Sequence, residues 1–386
     1  MSKVYYFDNA ATTWPKPEKV YSAAEKYLRN MCGNPGRSGN SISLEADRFL
    51  YEARETISSF FNVTNPSRII FTLNATDALN IAIKGVARKG MHIIYTALEH
   101  NSVLRPLGRL VKEGVITATM VPCDNNGNPD MQYYKKSFRK ETGLVVCNHA
   151  SNVFGVISPI EKFIEIAHLQ GVPVLVDGAQ TGGLLNIDVE DLKADMIAFA
   201  GHKGLFGPPG TGFLYVREGL EIKPFREGGT GSHSEMDLQP ENMPEHLEAG
   251  TLNATGIAGL IEGINFINET GINIIREHEL ECTKFLKDEL KNINNLKIFD
   301  NPIPENNLSV VSLTIEGADC GSIGDILESN FGIICRTGLH CAPLAHKAFN
   351  TFPEGTVRLS PGYFTTESDI DYVIKAIKEI AALTFP

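Results

Sequence analysis

The stretch Met196-Ile197-Ala198-Phe199-Ala200-Gly201-His202-Lys203-Gly204 places a lysine directly after a short apolar run, with glycine on either side. A run of this length and composition predicts a buried β-strand. A lysine at the end of such a strand is poorly solvated, and desolvation disfavours its ammonium form. Lys203 is therefore predicted to reach the neutral amine form near neutral pH, in which it condenses with an aldehyde. A surface lysine in a turn is the alternative for this motif taken alone.

A second apolar run, Pro173-Val174-Leu175-Val176-Asp177, ends on a carboxylate and is followed by Gly178, which lets Gln180 face the same cleft. The carboxyl ends of parallel strands are where α/β sheets bind ligands. A lysine that forms a Schiff base and an aspartate that keeps a pyridine nitrogen protonated are the pair that pyridoxal phosphate requires. Asp177 alone could equally be a helix N-cap. The pairing with Lys203 favours the cofactor.

Composition limits the class of protein. The 386 residues are 42% hydrophobic, enough for a large and a smaller domain. The net charge of −11 argues against nucleic acid and anionic membranes as partners. No signal peptide or apolar run of membrane-spanning length is apparent, and the seven scattered cysteines fit no disulfide framework. We therefore expect a cytoplasmic protein.

Short apolar runs alternate with helical segments between residues 69 and 216. Strands are predicted at residues 69–72, 92–95, 116–121, 144–147, 173–177, 196–200 and 212–216. This α/β order predicts a mainly parallel seven-stranded sheet sandwiched by helices, with a site at the strand carboxyl ends. The predicted domains are an N-terminal arm (residues 1–14), a large cofactor-binding domain (15–255) and a smaller α+β C-terminal domain (256–386). One long helix, residues 255–286 and extending with a kink towards residue 290, is expected to bridge the two domains.

Two segments are candidates for holding the cofactor. Ala75 and Thr76 follow a predicted strand and open a helix, whose free N–H groups and dipole favour a phosphate. An ordinary helix cap is the alternative there. His100 follows the next strand, where an imidazole could stack on a flat ring, although a lone histidine at such a place is more often structural.

Cys341 is the candidate nucleophile. It lies in Cys335-Arg336-Thr337-Gly338-Leu339-His340-Cys341-Ala342-Pro343, where the arginine and histidine would favour the thiolate. A buried inert thiol is one alternative. The other is zinc held by Cys335, His340, Cys341 and His346. Five residues separate the two cysteines, which does not match the usual spacing of structural zinc ligands, so no metal is expected.

Two arginines are candidates for contact with a substrate. Arg358 lies in a strand-like segment and suits a bidentate bond to a carboxylate, with a surface ion pair as the alternative. Arg37 stands at the tip of a turn-rich loop and could contact substrate or water equally well.

The motifs, taken together, resemble those of the class V aminotransferases with the type I pyridoxal phosphate fold, and within them the cysteine desulfurase and selenocysteine lyase family. The similarity covers nearly the whole chain, and several ordered motifs are more specific than any single one. The matching segments are residues 8–13, 74–80, 99–102, 151–155, 177–180, 201–203, 248–251 and 336–342.

The resemblance implies a role for each candidate residue. Lys203 would bind the cofactor aldehyde, Asp177 would face the pyridine nitrogen, Gln180 would meet the phenolic oxygen and His100 would stack on the ring. Ala75, Thr76 and His202 would bind the phosphate together with Thr251 from a neighbouring subunit, which implies a homodimer with shared active sites. Asn152 would contact both cofactor and substrate, and Arg358 would bind the substrate carboxylate. Lys203, Cys341 and His100 would be the catalytic residues.

The activity that the resemblance implies is conversion of L-cysteine to L-alanine, with a persulfide formed on Cys341 and passed to a sulfur-acceptor protein or thiol. The alternatives are a selenocysteine lyase acting on L-selenocysteine, a class V aminotransferase without desulfurase activity, and a regulatory cofactor-binding protein without turnover.

Two positions depart from the family pattern. Ala200 replaces a common serine, so that the loop at residues 228–232 or water would have to supply the missing phosphate contact, and Asn40 stands where a histidine is expected.

Overall fold

The computed structural model describes residues 3–31, 33–35, 40–232 and 235–383. The strands are β1 (Tyr5–Tyr6), β2 (Ile69–Thr72), β3 (Met91–Thr96), β4 (Ile116–Val121), β5 (Thr142–Asn148), β6 (Val174–Asp177), β7 (Met196–Ala200), β8 (Gly212–Val216), β9 (Leu296–Phe299), β10 (Val311–Ile315), β11 (Ile333–Ile334), β12 (Arg336–Gly338) and β13 (Thr356–Leu359). The helices are α1 (Glu18–Asn30), α2 (Ser41–Phe61), α3 (Ala75–Val86), α4 (Asn101–Lys112), α5 (Met131–Lys136), α6 (Ile160–His168), α7 (Val189–Leu192), α8 (Ala254–Thr270), α9 (Ile272–Leu290), α10 (Cys320–Phe331), α11 (Pro343–Ala348) and α12 (Glu367–Ala381). Within these ranges, we find no helix with the length and apolar character needed to cross a membrane.

The central element is a seven-stranded sheet in the order β2-β8-β7-β6-β5-β3-β4. The pairs from β7 through β6, β5 and β3 to β4 are parallel. Strand β8 runs antiparallel to both of its neighbours, β7 and β2. The predicted α/β fold with a mainly parallel seven-stranded sheet is therefore confirmed, and β8 makes the sheet mixed.

Both faces of this sheet are buried, because successive side chains of a strand point to opposite faces. On β7, Ile197 and Phe199 pack into one apolar cluster, and Met196 and Ala198 pack into another on the opposite face. Helices cover both clusters, as expected for a sheet joined by parallel crossovers. The strands are therefore almost wholly apolar up to their ends, where the polar residues of the cleft begin.

A second, four-stranded antiparallel sheet lies in the C-terminal part, in the order β12-β13-β10-β9. Its core includes residues of α9, α10 and α12. The short strand β1 pairs with β11, so the N-terminal arm attaches to this part of the molecule. Strands β1, β9 and β12 and helix α11 were not predicted from the sequence. The predicted division into residues 1–14, 15–255 and 256–386 stays a prediction.

The prediction of one long helix after residue 255 is wrong. The chain forms two helices, α8 and α9, separated at Gly271, whose φ of 94° lies outside the helical region. Leu260 of α8 packs with the seven-stranded sheet, and so does Ile275 in the first turn of α9. Leu286, later in α9, packs with the four-stranded sheet, so α9 connects the two cores.

A buried ion pair joins helix α2 to the loop before α8, and it gives a stability prediction. Nη2 of Arg54 donates to both carboxylate oxygens of Glu248 at 2.7 and 2.6 Å, and the N–H of Phe71 donates to the same carboxylate at 2.7 Å. Glu248→Ala should lower the free energy of unfolding by about 3–5 kcal/mol, because it leaves a buried guanidinium without a counterion. Urea denaturation measures this loss. Replacing Arg54 and Glu248 together by Met and Leu should restore much of it, and an undiminished loss in the double variant would contradict this explanation.

Candidate active site

The ends of two neighbouring parallel strands bring Asp177 and Lys203 to one edge of the central sheet. Strand β6 ends at Asp177, which is in register with Ala198 of β7, and the chain continues from β7 through His202 to Lys203. A small cleft opens at this edge. Its lining residues are Asn74, Ala75, Thr76, Leu79, His100, Ser102, Asn148, Ala150, Asn152, Asp177, Ala179, Gln180, Ala200, His202 and Lys203.

Lys203 is a weak base for a lysine. Burial lowers the pKa of its amine to about 8, because desolvation penalises the ammonium form. The nearby Asp177 carboxylate opposes this shift in pKa, and the positive charges of Arg358 and Arg336 add to it. About a tenth of the amine is therefore neutral, and hence nucleophilic, at pH 7, far more than for an ordinary lysine.

Asp177 is a buried carboxyl group that can accept a cationic partner. Its side chain is 7% exposed, and burial raises its pKa, while the N–H of Ala179 at 3.0 Å and the charge of Lys203 act in the opposite direction. No α-helix of the described chain begins at Gly178, so the N-cap alternative does not apply. A protonated pyridine nitrogen would provide the positive hydrogen-bond donor that a buried carboxylate needs.

One side of the cleft is suited to an anion. Asn74 caps helix α3 by accepting a hydrogen bond from the N–H of Asp77, which leaves Ala75 and Thr76 in the first turn of the helix. The N–H groups of such a turn have no carbonyl partner within the helix. The hydroxyl groups of Thr76 and Ser102 are 2.7 Å apart, so Ser102 places a second hydroxyl near the helix end although Ala200 provides none.

One ring nitrogen of His202 is available for a hydrogen bond to a ligand. Its Nδ1 atom is buried and has no hydrogen-bond partner among the residues that the structure describes. Burial lowers the pKa of this imidazole to about 4, and Lys203 and Lys16 add to the effect, so the ring is neutral near pH 7. A neutral ring can donate one hydrogen bond to a phosphate oxygen. Together, these groups fit the phosphate and ring of pyridoxal phosphate.

His100 both caps a helix and lines the cleft. It is the N-cap of helix α4, where Nδ1 accepts from the N–H of Ser102 at 3.0 Å and lies 2.8 Å from its hydroxyl. Burial lowers the pKa of the ring to about 4, and Lys203 contributes further. The cap fixes the orientation of a neutral imidazole that lines the cleft.

The N-terminal arm contacts the segment that carries Lys203. The carbonyl oxygen of His202 accepts hydrogen bonds from the hydroxyl of Thr12 at 3.1 Å, the N–H of Thr13 at 3.1 Å and Nζ of Lys16 at 3.2 Å. Burial lowers the pKa of Lys16 to about 8. Sequence reasoning missed Lys16, because nothing local distinguishes it from a surface lysine.

Gln180 is also tied to the arm, since Nε2 of its side chain donates to the carbonyl oxygen of Ala10 at 3.0 Å. It lines the cleft beside Asp177, as the tight turn at Gly178 predicts. The amide therefore lies between the arm and the cleft.

Cys341 lies in a short connection between β12 and α11 that has an uncommon backbone conformation. His340 and Cys341 have φ values of 48° and 59°, in the left-handed region that non-glycine residues rarely adopt. Contacts with segments at the edge of the central sheet hold them there: Nδ2 of Asn152 donates to the His340 carbonyl at 2.8 Å, and the N–H of Asn101 donates to the Cys341 carbonyl at 2.6 Å. Such strained positions cluster at functional sites.

Arg336 is the positive group nearest to the thiol, with Nη2 3.6 Å from Sγ of Cys341. The prediction that the neighbouring histidine also favours the thiolate is wrong, because burial holds the pKa of His340 well below its usual value and the ring stays neutral. Cys341 is only partly buried, which argues against the alternative of a buried inert thiol. In the described ranges, no three His, Cys, Asp or Glu side chains form a metal-binding group.

Arg358 is inside the protein, and the alternative of a surface ion pair is wrong. Its side chain on β13 is 0% exposed, with Nη1 donating to the carbonyl of Asn152 at 2.8 Å and Nη2 donating to Oδ1 of Asp8 at 2.5 Å. Its Nε atom is buried without a partner in the part of the chain that is described. The sequence alone does not indicate the role of Asp8, because its contact with Arg358 spans 350 positions.

Three of the predicted site residues are not among those that line this cleft: Cys341, Arg358 and Thr251. Thr251 lines another cavity together with Arg54, Glu248 and Gly229–Ser232, and its hydroxyl lies 3.5 Å from Asn34 Oδ1. The loop that was expected to compensate for Ala200 therefore lies with Thr251. Asn40 caps helix α2. Arg37 is outside the described residues.

Comparison with known proteins gives a consistent set of relatives. The family model for aminotransferase class-V matches residues 5–373. A protein of Methanothermobacter thermautotrophicus named probable cysteine desulfurase is 35% identical over 385 residues, which cover 98% of this chain and 95% of that protein. A cysteine desulfurase of Escherichia coli is 30% identical, over 98% of this chain and 93% of that protein. The solved apo structure of a cysteine desulfurase from Thermococcus onnurineus superimposes with a TM-score of 0.91 at 30% identity, covering 98% and 94% of the two chains.

Proposed function

The chain belongs to the class-V aminotransferase family and has the type I fold of pyridoxal phosphate enzymes, and we propose that it is a cysteine desulfurase that converts L-cysteine to L-alanine. The observation that carries the proposal is the pairing of a buried lysine of lowered pKa with a buried carboxylate, at a cleft whose residue Asn152 is hydrogen-bonded to the loop of Cys341. The names of the full-length relatives support the same reaction.

The cleft residues would hold pyridoxal 5'-phosphate. Lys203 would bind its aldehyde, Asp177 its ring nitrogen and Gln180 its phenolic oxygen, with His100 and Asn152 beside the ring. Ala75, Thr76, His202 and Ser102 would hold the phosphate, joined by Thr251 of a second subunit. When bound, the cofactor supplies an electron sink for the charge that develops at the substrate α-carbon.

The protein's own groups would move the proton and the sulfur. Arg358 and Asn152 bind the substrate carboxylate, and the amine of Lys203, once released, takes the α-proton as a general base. Cys341, whose Sγ lies 3.6 Å from Nη2 of Arg336, attacks the substrate sulfur as its thiolate. An S–S bond forms as the C–S bond breaks, and the electron pair left on the three-carbon fragment takes up protons to give L-alanine. The persulfide on Cys341 then passes its outer sulfur to an acceptor protein or thiol.

The assembly and location belong to the same proposal. We expect a homodimer with shared active sites, because Thr251 lies outside the cleft of its own chain. We also expect a cytoplasmic enzyme, because the described cysteines are free thiols, which suit a reducing compartment. Separate domains for residues 15–255 and 256–386 would place Lys203 on one and Cys341 with Arg358 on the other.

The lowered pKa of Lys203 gives a pH prediction. The apoprotein should combine with pyridoxal phosphate faster as the pH rises from 6 through about 8, because only the neutral amine attacks the aldehyde and the pKa of Lys203 is about 8. The rate should level off above that value. The appearance of the bound-cofactor absorbance band after rapid mixing measures this rate. A rate that continues to rise tenfold per pH unit up to pH 10 would indicate an ordinary, solvated lysine.

Product analysis tests the proposed function. The holoenzyme is incubated with L-cysteine, with and without dithiothreitol, and alanine, sulfide and keto acids are measured. We expect equal amounts of alanine and sulfide with the reductant, and little sulfide without it. Turnover of L-selenocysteine alone would indicate a lyase, keto-acid formation without sulfide would indicate an aminotransferase, and binding of cofactor without any reaction would indicate a regulatory protein.

A further inference from the structure

The guanidinium of Arg358 is already paired with a carboxylate of its own chain. The ion pair joins Nη2 of Arg358 to Oδ1 of Asp8 at 2.5 Å, and Nη1 is occupied by the carbonyl of Asn152. Nε, on the edge of the guanidinium shared with Nη2, is buried and has no partner among the described residues. A carboxylate that binds this edge with two hydrogen bonds must therefore take Nε and share Nη2 with Asp8.

Backbone contacts fix Asp8 beside Arg358. The N–H of Phe7 donates to the carbonyl of Ile334 at 2.8 Å, and the N–H of Ser360 donates to the carbonyl of Phe7 at 2.8 Å. Asp8 itself forms a parallel bridge with Ser360, and the N–H of Asn9 bonds to the Ser360 carbonyl at 3.2 Å. The arm is thus held along the end of β13, so Asp8 remains near the guanidinium when a ligand arrives.

The positive charge of Arg358 is offset by Asp8 when no substrate is bound. Burial lowers the pKa of Arg358, and the hydrogen bond and charge of Asp8 oppose that shift. Arg336 adds a second positive charge near Arg358, and Tyr6 lies close to both members of the pair. A buried guanidinium needs a counterion. In the free enzyme, Asp8 provides it.

We propose that Asp8 is a positioning residue that stands in for the substrate carboxylate at Arg358 in the free enzyme and thereby weakens the binding of amino-acid carboxylates. This inference rests on the proposed function, in which Arg358 binds that carboxylate. Asp8 keeps the guanidinium oriented, and its negative charge repels the incoming carboxylate. The product L-alanine carries the same carboxylate as the substrate, so the repulsion also favours product release.

Asp8→Asn is the decisive variant, because it removes the charge and keeps an oxygen that can accept from Nη2. The probe is 3-mercaptopropionate, which has the thiol and carboxylate of cysteine but no amine to react with the cofactor. Its dissociation constant is measured by calorimetry on the holoenzyme. We expect binding to be about tenfold tighter in the variant, as for loss of one nearby unit charge at an intermediate dielectric. The uncharged compound 3-mercaptopropionamide should bind equally tightly to the wild type and to Asp8→Asn.

Kinetics and thermal unfolding separate this role from a merely structural one. The KM for L-cysteine should fall in Asp8→Asn while kcat stays level or falls. The thermal midpoint without ligand should fall, and 3-mercaptopropionate should raise it more than in the wild type. Lys3→Ala is the matched control, because it breaks an exposed ion pair of the same arm with Asp369 and should change neither binding constant.

Three results would count against the role of Asp8 or against the assignment of Arg358. If Asp8→Asn folds but binds 3-mercaptopropionate no more tightly than the wild type, the inference is wrong. If Arg358→Gln binds it as tightly as the wild type, the assignment of the substrate carboxylate fails, and with it this part of the proposed function. If Asp8→Asn is poorly folded, 3-mercaptopropionate in the purification buffer should restore it, and failure of that rescue counts against the inference.

Discussion

Lys203→Ala is expected to lose the covalently bound cofactor and to slow alanine formation from L-cysteine by about 100-fold to 10⁴-fold. This is the rate enhancement that a positioned acid–base group contributes. The amine has two tasks in the proposed function, to hold the aldehyde and to take the α-proton. No other amine lines the cleft in the described chain, so none can replace it. The absorbance band of the bound cofactor and its attachment to the Lys203 peptide after borohydride reduction provide the two measurements.

Lys16→Met is the matched control for this prediction. Lys16 is also a lysine whose pKa burial lowers to about 8, and its amine lies 3.2 Å from the His202 carbonyl, but it does not line the cleft. The Lys16 variant should keep the cofactor band. A band that persists after Lys203→Ala, or that disappears only after Lys16→Met, would show that the wrong lysine has been assigned.

Cys341→Ala is expected to keep the bound cofactor but to lose persulfide formation, so that sulfide release from L-cysteine falls to background. The thiol is the proposed attacking group, and its loop is held in place by hydrogen bonds from Asn152 and Asn101. Because selenium leaves more readily than sulfur, L-selenocysteine should still react in this variant. Cofactor absorbance and sulfide release, measured on the same sample, separate loss of chemistry from loss of folding.

Cys335→Ala controls for the loss of a thiol from the same segment. Burial raises the pKa of Cys335 to about 12, so this thiol is protonated at neutral pH and is a poor nucleophile. Sulfide release should persist in that variant. Normal sulfide release by Cys341→Ala would contradict the persulfide step.

The local sequence was sufficient to predict the strands of the large sheet and the residues at one end of the cleft. The runs that end at Asp177 and Ala200 are short and apolar, and parallel strands place their carboxyl ends at a common edge. The close placement of Asp177 and Lys203 therefore follows from the pattern of strands alone. The helix end at Thr76 follows in the same way.

The remaining features depend on contacts between distant segments. The pairing of Asp8 with Arg358 joins the two ends of the chain, and nothing near either residue indicates it. The break at Gly271 was missed because a glycine within an apolar helical pattern is usually tolerated. The left-handed backbone at Cys341 depends on hydrogen bonds from Asn101 and Asn152, which belong to another part of the fold.

The most direct test of the central claim is a single turnover with L-cysteine carrying a heavy isotope of sulfur, followed by mass spectrometry of the peptide that contains Cys341 and by measurement of alanine. The proposed function predicts one alanine per reacted site and one labelled sulfur atom on Cys341. Alanine formed without labelled sulfur on that peptide, or cysteine consumed without alanine, would contradict it.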